Sequence, residues 1–196
     1  MIRITGGEVK GRSLKVYRGG QVRPTSDKVR QAIYNILEHG FEFEFETSRC
    51  LDLYAGSGGL GAELLSRGGS HLTAVESDAR TLSVLRDNLK MVKQAVRSRT
   101  VDINVVSQTV ERYLKRPPAS PYDLIIADPP YKEQLGPKLL ACLSMGWISS
   151  DGVVVIEHEK RDPFTPPYGW SLDDRRLYGD TFVSFCSIMN VEKTTS

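Results

Sequence analysis

The sequence is poor in cysteine and contains no long apolar run. Its three cysteines, Cys50, Cys142 and Cys186, are isolated and odd in number, so the sequence indicates neither a disulfide framework nor a zinc cluster. No apolar run approaches the roughly 18 residues that a membrane-spanning helix needs. Residues 1–7 also lack an apolar signal region. We therefore expect a cytoplasmic protein with no membrane association and no bound metal.

Basic residues are concentrated at the N-terminal end. The chain of 196 residues has a net charge of only +2, but residues 1–30 contain eight basic residues and two acidic ones. Glycines interrupt these charges, and short apolar alternation at positions 2, 4, 14 and 16 predicts a β-hairpin. A structured basic arm is typical of phosphate binding, although a solvated basic terminus would have the same composition. The candidate RNA-binding residues are Arg3, Lys10, Arg12, Lys15, Arg18 and Arg30.

A helix is predicted directly after this arm. Thr25 or Ser26 can cap it, and its apolar face is formed by residues 29, 33, 36 and 37. We expect Gly40 to end the helix in a left-handed conformation. The Phe-Glu repeat at 41–46 fits either a half-buried strand or a connector whose phenylalanines cover the core.

From Cys50 onwards, predicted strands and helices alternate. The strands cover 50–54, 72–76, 101–106, 122–127 and 153–156, and the helices cover 79–96, 109–114 and 135–145. This order predicts an α/β fold with a mostly parallel sheet and helices on both faces. A turn at 178–180 before a strand at 182–188 adds an antiparallel hairpin at the C-terminal edge. The strand at 122–127 is the most continuously apolar, so we expect it to be central.

A glycine-rich turn follows the first of these strands. Gly56, Gly58 and Gly61 have the spacing of the dinucleotide-binding fingerprint, and the acidic residue that this fingerprint expects about twenty residues later is Glu76. Ligands of such sheets bind beyond the carboxyl ends of the strands. We therefore expect residues 52–58, Glu76, Gln108 and Asp128 to lie along one edge and to bind an adenosine-containing cofactor, whose identity the turn leaves open.

The tetrad Asp128-Pro129-Pro130-Tyr131 follows the predicted central strand. Two prolines make the turn rigid and leave its carbonyl groups free to accept hydrogen bonds. Asp128 and the Pro129 carbonyl can then accept both hydrogens of a nucleobase amine while the Tyr131 ring stacks on the base. A purely structural turn would need neither the acid nor the ring. By contrast, His158 between two glutamates matches no metal-ligand spacing.

Taken together, these motifs resemble a known family. The glycine-rich turn from Asp52, the acid at Glu76 and the D-P-P-Y tetrad are similar to those of class I S-adenosylmethionine-dependent amino-methyltransferases. The blocks at 3–12 (R-I-T-G-G and G-R), 23–30 (R-P-T-x-D-x-V-R) and 178–181 (Y-G-D-T) narrow the resemblance to RsmD-type enzymes, which methylate guanine N2 in bacterial small-subunit ribosomal RNA. The resemblance implies a Rossmann-like fold, with a basic RNA-binding extension at 1–40 and a methyltransferase core at 41–196 in one compact unit.

The resemblance also implies roles for individual residues. Asp52 would interact with the methionine amino group of S-adenosylmethionine, Glu76 with its ribose hydroxyls, and Arg23 with its carboxylate. Where related enzymes often carry an acid near the adenine amine, this chain has Ser107-Gln108-Thr109, so Gln108 or the backbone would make that contact. The implied cofactor-binding residues are Arg23, Pro24, Thr25, Asp52, Tyr54, Ala55, Gly56, Ser57, Gly58, Glu76, Ser77, Gln108 and Thr109, and the catalytic ones are Asp128, Pro129, Pro130 and Tyr131. The expected partner is ribosomal RNA. We expect the protein to be a monomer without an obligate protein partner.

Three alternatives remain open at this stage. An NAD(P)-dependent oxidoreductase would share the glycine spacing, but no tyrosine of this chain has a lysine four residues later. A non-catalytic RNA-binding module would explain the basic arm and not the cofactor-binding edge. Methylation of an adenine N6 amine in DNA or RNA would use the same tetrad.

Overall fold

A computed structural model of the protein describes residues 2–17, 25–130, 135–161 and 163–189. The predictions for Arg18, Arg23, Pro24 and Tyr131 lie outside the described residues. The elements are β1 (Ile2–Arg3), β2 (Ser13–Leu14), α1 (Asp27–Gly40), β3 (Arg49–Leu53), α2 (Gly59–Ser66), β4 (His71–Glu76), α3 (Ala79–Ala95), β5 (Asp102–Ser107), α4 (Val110–Tyr113), β6 (Tyr122–Ala127), α5 (Leu135–Leu143), β7 (Ile148–Glu159), β8 (Trp170–Tyr178) and β9 (Thr181–Ile188).

Within the described ranges, the C-terminal three quarters of the chain form a seven-stranded sheet. Its strand order is β5-β4-β3-β6-β7-β9-β8. Strands β3 to β7 are parallel to one another, whereas β9 is antiparallel to both β7 and β8. The predicted parallel sheet, the central position of the strand at 122–127 and the antiparallel C-terminal hairpin are therefore confirmed.

Apolar residues fill both faces of this sheet. Along β6, Leu124 and Ile126 belong to one core cluster, whereas Ile125 and Ala127 belong to the other. This alternation follows from the two-residue repeat of a strand. Helices α1, α2 and α3 pack on the first face, and α4 and α5 pack on the second. The near-continuous apolar sequence of β6 is what burial on both faces requires.

The N-terminal segment also folds as the alternation predicts. Ile2 pairs with Leu14 and Arg3 with Ser13 in an antiparallel hairpin. The side chains of Ile2, Ile4 and Leu14 are buried in the first core cluster. The hairpin is therefore anchored to the body of the protein, with its charged residues facing outward.

The end of α1 differs from the prediction. Ser26 caps its start by accepting a hydrogen bond from the Val29 amide at 3.3 Å, but the left-handed residue after the helix is Glu42, with φ of 50°. The expectation that Gly40 takes this conformation is therefore wrong. Residues 41–46 form a connector and no strand, with the Phe41 ring stacked on Phe185 at 5.4 Å. Among the described residues, no helix is both long and apolar enough to cross a membrane.

Candidate active site

The carboxyl ends of four neighbouring strands meet at one edge of the sheet. Leu53 at the end of β3 pairs with Val75 of β4 and with Ala127 of β6. Glu76 at the end of β4 pairs with Ser107 of β5. The residues that follow these strands must therefore share one edge, as predicted. They are Tyr54 to Gly58, Ser77, Gln108, Thr109 and Asp128 to Pro130.

The glycine-rich loop between β3 and α2 uses its glycines in different ways. At Gly58, with φ of 82°, an added Cβ would lie 2.6 Å from Leu85 Cδ1. At Gly61 it would lie 2.8 Å from Leu72 Cδ2. These two positions need glycine because α3 packs closely against the loop at Gly58 and β4 packs closely against the first turn of α2 at Gly61. A Cβ at Gly56, by contrast, would meet nothing nearer than the Tyr54 carbonyl at 3.9 Å, so this part of the loop is open to a ligand.

Glu76 holds the open part of this loop in place. One carboxylate oxygen accepts from the Gly56 amide at 2.9 Å, and the other accepts from the Ser77 and Asp78 amides at 2.7 and 2.8 Å. A carboxylate has about four lone-pair sites, so capacity for a further donor remains. This backbone role was not predicted from the sequence. The contact of Glu76 with ribose hydroxyls stays a prediction.

Asp52 has an incomplete set of hydrogen bonds. It is 2% exposed, and its Oδ2 accepts from the Gly61 amide at 3.1 Å. Its Oδ1 is buried and has no hydrogen-bond partner within the described part of the chain. Burial raises the pKa of Asp52 to about 7, and the nearby Asp128 and Glu76 carboxylates add to this effect. A cationic group beside Oδ1 would satisfy the oxygen, so the site fits a cofactor that carries an ammonium group.

At the next strand end, three polar side chains form a cluster. The Thr25 hydroxyl lies 3.0 Å from Asp128 Oδ2 and 2.9 Å from Glu157 Oε1. Burial raises the pKa of Asp128 to about 6, although the Thr25 hydrogen bond opposes this shift. Burial, followed by repulsion from Asp128, raises the pKa of Glu157 well above its usual range. Thr25 is thus brought to the predicted catalytic acid, a contact that the sequence did not predict.

This cluster opens into a cavity of about 870 Å³. Its walls come from the start of α1, the end of β7 and the turn between β8 and β9, and they include Asp128, Glu157, Lys160, Tyr178 and Asp180. A cavity of this size can hold a nucleoside. Asp128 therefore lies between this cavity and the edge of the sheet that carries the predicted cofactor residues.

The remaining predicted cofactor residues differ in their surroundings. Thr109 caps α4, since its hydroxyl accepts from the Arg112 amide at 3.3 Å, which gives it a local structural role. Gln108 is half-buried and Ser77 is exposed at the ends of their strands. Gln108 is thus placed to meet a ligand on the β5 side of the edge.

Four of the predicted RNA-binding residues are exposed. They are Arg3, Lys10, Arg12 and Lys15. The Lys15 ammonium forms an exposed ion pair with Asp87 at 2.8 Å. The side-chain amide of Asn88 links the hairpin to the glycine-rich loop, because its Nδ2 donates to the carbonyls of Lys15 and Ser57.

The assignment of Arg30 to RNA binding is wrong. Its side chain is 1% exposed. Nη1 donates to the Thr25 carbonyl at 3.0 Å, and Nη2 donates to the Arg3 carbonyl and to Asp27 Oδ1. Its Nε lies 3.7 Å from Glu63, which is fully buried. The guanidinium therefore joins the hairpin, the start of α1 and α2, and cannot reach a phosphate.

Comparison with known proteins connects this site to a family. The family described as "Conserved hypothetical protein 95" matches residues 2–187. Ribosomal RNA small subunit methyltransferase D of Escherichia coli (strain K12) is 32% identical over 180 residues, which cover 91% of this chain and 85% of that protein. The chain belongs to the ribosomal RNA small subunit methyltransferase D family.

Two more comparisons agree with membership of the methyltransferase D family. YlbH of Bacillus subtilis (strain 168) is 37% identical over 163 residues, which cover 81% of this chain and 83% of that protein. The solved structure of yhhF from Escherichia coli superposes with a TM-score of 0.79 and 30% identity, covering 95% of this chain and 97% of that chain. The resemblance drawn from the sequence motifs is confirmed, and so is the Rossmann-like class I methyltransferase fold.

Glu157 and Glu63 are the polar residues that sequence reasoning missed in this member of the methyltransferase D family. Glu157 had a visible signal, because it directly follows the apolar run 153–156 as Glu76 and Asp128 follow theirs. Glu63 had none, since it lies inside a helix with ordinary spacing. His158 packs against Phe164, and its Nε2 forms a hydrogen bond with the Ser184 hydroxyl at 2.8 Å.

Proposed function

We propose that this protein transfers the methyl group of S-adenosylmethionine to the exocyclic N2 amine of a guanine in small-subunit ribosomal RNA. The observation that supports this best is the position of Asp128. It follows β6, the strand next to the glycine-rich loop of β3, and it lines a nucleoside-sized cavity. Family membership favours ribosomal RNA as the substrate, because the Escherichia coli relative carries that substrate in its name.

Residues of the cofactor-binding edge would hold S-adenosylmethionine. Asp52 offers a buried, unsatisfied oxygen for the amino group, and Glu76 retains lone-pair capacity beside the open Gly56. Gln108 and the Ala55–Ser57 backbone complete the surroundings, with Arg23 and Pro24 assigned by the resemblance alone. The cofactor supplies an electrophilic methyl group.

Asp128 would act on the amine by position and charge. The lone pair of a guanine amine is delocalised into the ring, so the nitrogen is a poor nucleophile. Hydrogen bonds from its two N–H groups to Asp128 and to the Pro129 carbonyl favour a tetrahedral nitrogen with a directed lone pair. The carboxylate also stabilises the positive charge that develops on the nitrogen as the N–C bond forms. The bond between the methyl group and the cofactor sulfur would break as the N–C bond forms, with S-adenosylhomocysteine as the leaving group, and one amine proton would leave to Asp128 or to water.

The direct test is methyl transfer to unmodified small-subunit particles, with labelled S-adenosylmethionine and analysis of the nucleosides. We expect labelled N2-methylguanosine. Labelled N6-methyladenosine would instead support the adenine alternative, and absence of both would contradict the proposal.

Asp128→Ala should lower transfer by about a thousandfold, in line with the loss of a charge-stabilising group, while cofactor binding by calorimetry persists. The matched control is Asp151→Ala, because Asp151 is exposed near the opposite end of the sheet.

The same assay compares naked ribosomal RNA with assembled small-subunit particles as substrates. Naked ribosomal RNA and small-subunit particles should be offered at equal concentration. Because Arg3, Lys10 and Arg12 of the basic hairpin are exposed, we expect both to bind. Only transfer to a single guanine distinguishes productive docking from general attraction to phosphate.

A further inference from the structure

The Thr25 hydroxyl lies between two carboxyl groups, and this arrangement restricts their protonation. It is 3.0 Å from Asp128 Oδ2 and 2.9 Å from Glu157 Oε1, so both contacts have hydrogen-bond length. A hydroxyl group has one proton and can donate only once. It must therefore accept from the other carboxyl group, and one of the two carboxyl groups must carry a proton.

The surroundings indicate which carboxyl group is neutral. Glu157 is 4% exposed, whereas Asp128 is half-buried at the cavity. Glu157 faces the negative groups Asp128 and Asp52 and the positive group Arg30. The Arg30 guanidinium already donates to a carboxylate and two carbonyls, so it compensates Glu157 only in part. The deeper group beside two acids is the one that keeps its proton.

We propose that Glu157 is a positioning residue: its neutral carboxyl group donates to the Thr25 hydroxyl, which in turn donates to Asp128 Oδ2. The proposal rests on the proposed function, since it assigns Asp128 to the amine. Within the described part of the chain, no donor contacts Asp128 Oδ1. The hydrogen-bond chain thus uses one oxygen of Asp128 to fix its orientation and leaves the other for the substrate amine.

Paired substitutions test the positioning role. Glu157→Leu removes the donor and should lower kcat about tenfold, which corresponds to the loss of one buried hydrogen bond, with little change in the KM for S-adenosylmethionine. Glu157→Gln supplies an amide donor at the same place and should recover most of this loss. If Glu157→Leu fails to fold, Thr25→Val and Thr25→Ser give the same comparison, with serine as the recovering variant. Unchanged kcat in Glu157→Leu, or no recovery with glutamine or serine, overturns the proposal.

The pH profile tests the charge of Glu157. Asp128 must be ionised to accept from the amine, so kcat should fall as the pH is lowered through about 6. If Glu157 is neutral, Glu157→Gln removes no charge and leaves this acidic limb in place. If Glu157 is an anion, the substitution removes a repulsive charge and moves the limb to lower pH by about one unit. A shift of that size would overturn the proposal.

Infrared spectroscopy of the free protein gives a readout that needs no RNA. A neutral carboxyl group has a carbonyl stretch at higher frequency than a carboxylate. At about pH 8, where Asp128 and most Asp52 would be ionised, the difference between wild type and Glu157→Gln should contain one such band. Its absence overturns the inference about Glu157. Failure of guanine methylation by the wild type would instead contradict the proposed function, and the two failures are therefore distinguishable.

Discussion

Replacement of Arg30 by methionine should destabilise the fold far more than any exposed arginine would. The guanidinium is 1% exposed and donates to the Thr25 and Arg3 carbonyls and to the Asp27 carboxylate. Methionine has similar length and no charge, so it fills the space without replacing these bonds. It also leaves Glu63, which is fully buried, without one of its two nearby guanidinium groups.

The magnitude follows from these contacts. Removal of one partner from a buried ion pair costs about 3 to 5 kcal/mol, because the remaining charge stays desolvated. Glu63 retains the Arg67 guanidinium at 2.9 Å and the Thr5 hydroxyl at 2.6 Å, which places the expected loss near the lower limit. A loss of about 3 kcal/mol lowers the melting temperature by about 10 °C in a protein of this size.

Urea unfolding followed by tryptophan fluorescence measures this loss. Trp147 and Trp170 are both buried, so their emission reports the exposure of the second core cluster. The control is Arg12→Met, which alters an exposed side chain and should cost no more than about 0.5 kcal/mol. If the Arg30→Met protein were as stable as the control and bound RNA more weakly and with less salt dependence, the reasoning would be refuted. Arg30 would then have to be assigned to RNA binding.

Three other predictions concern the arm, the loop and the buried acid. Neutralising Lys10 and Arg12 should weaken RNA binding and reduce the slope of log affinity against log salt by about 2, measured by filter binding. Gly58→Ala should destabilise the fold by more than Gly146→Ala, in thermal melts, because both have positive φ but only Gly58 has a neighbouring side chain within 4 Å. The folded pKa of Asp52 is about 7, above its unfolded value of about 4, so the folded state binds its proton more tightly. The free energy of unfolding should therefore fall as pH rises from about 4 to 7, and Asp52→Asn should flatten this dependence in urea titrations.

The sheet was predictable because its signal is local. Apolar runs of four to six residues ended at or next to polar residues, and in the first four runs that ending lies within one residue of a strand terminus at the predicted ligand-binding edge. The run 122–127 gave the bounds of β6 directly. The strand β7 extends well beyond the predicted 153–156. Its N-terminal part was not predicted because Ser149 and Asp151 are polar and carry no apolar alternation.

The role of Arg30 was not predictable from local sequence. Arg30 lies between Val29 and Ile33 in the sequence, which places it only at the boundary of the apolar face of the helix. A cationic side chain at such a boundary is ordinarily exposed to solvent. Its burial depends on Glu63, which is 33 residues distant, and on carbonyl groups that the fold brings together. Similarly, Glu42 takes the left-handed conformation because the Phe43 amide bonds to the Leu37 carbonyl at 3.0 Å. Such contacts are set by tertiary structure.

The division into an RNA-binding extension and a methyltransferase core understates how the two are joined. Asn88 is 2% exposed; its Oδ1 accepts from the Lys15 amide at 2.9 Å, and its Nδ2 donates to the Lys15 carbonyl at 2.9 Å and the Ser57 carbonyl at 2.8 Å. One buried amide thus supports the hairpin and the glycine-rich loop together. Removal of the hairpin would leave this amide without two of its partners, a costly state in a buried position. We infer that the hairpin helps to support the glycine-rich loop, so that the exposed basic side chains of the hairpin and the geometry of the loop are held in a single unit.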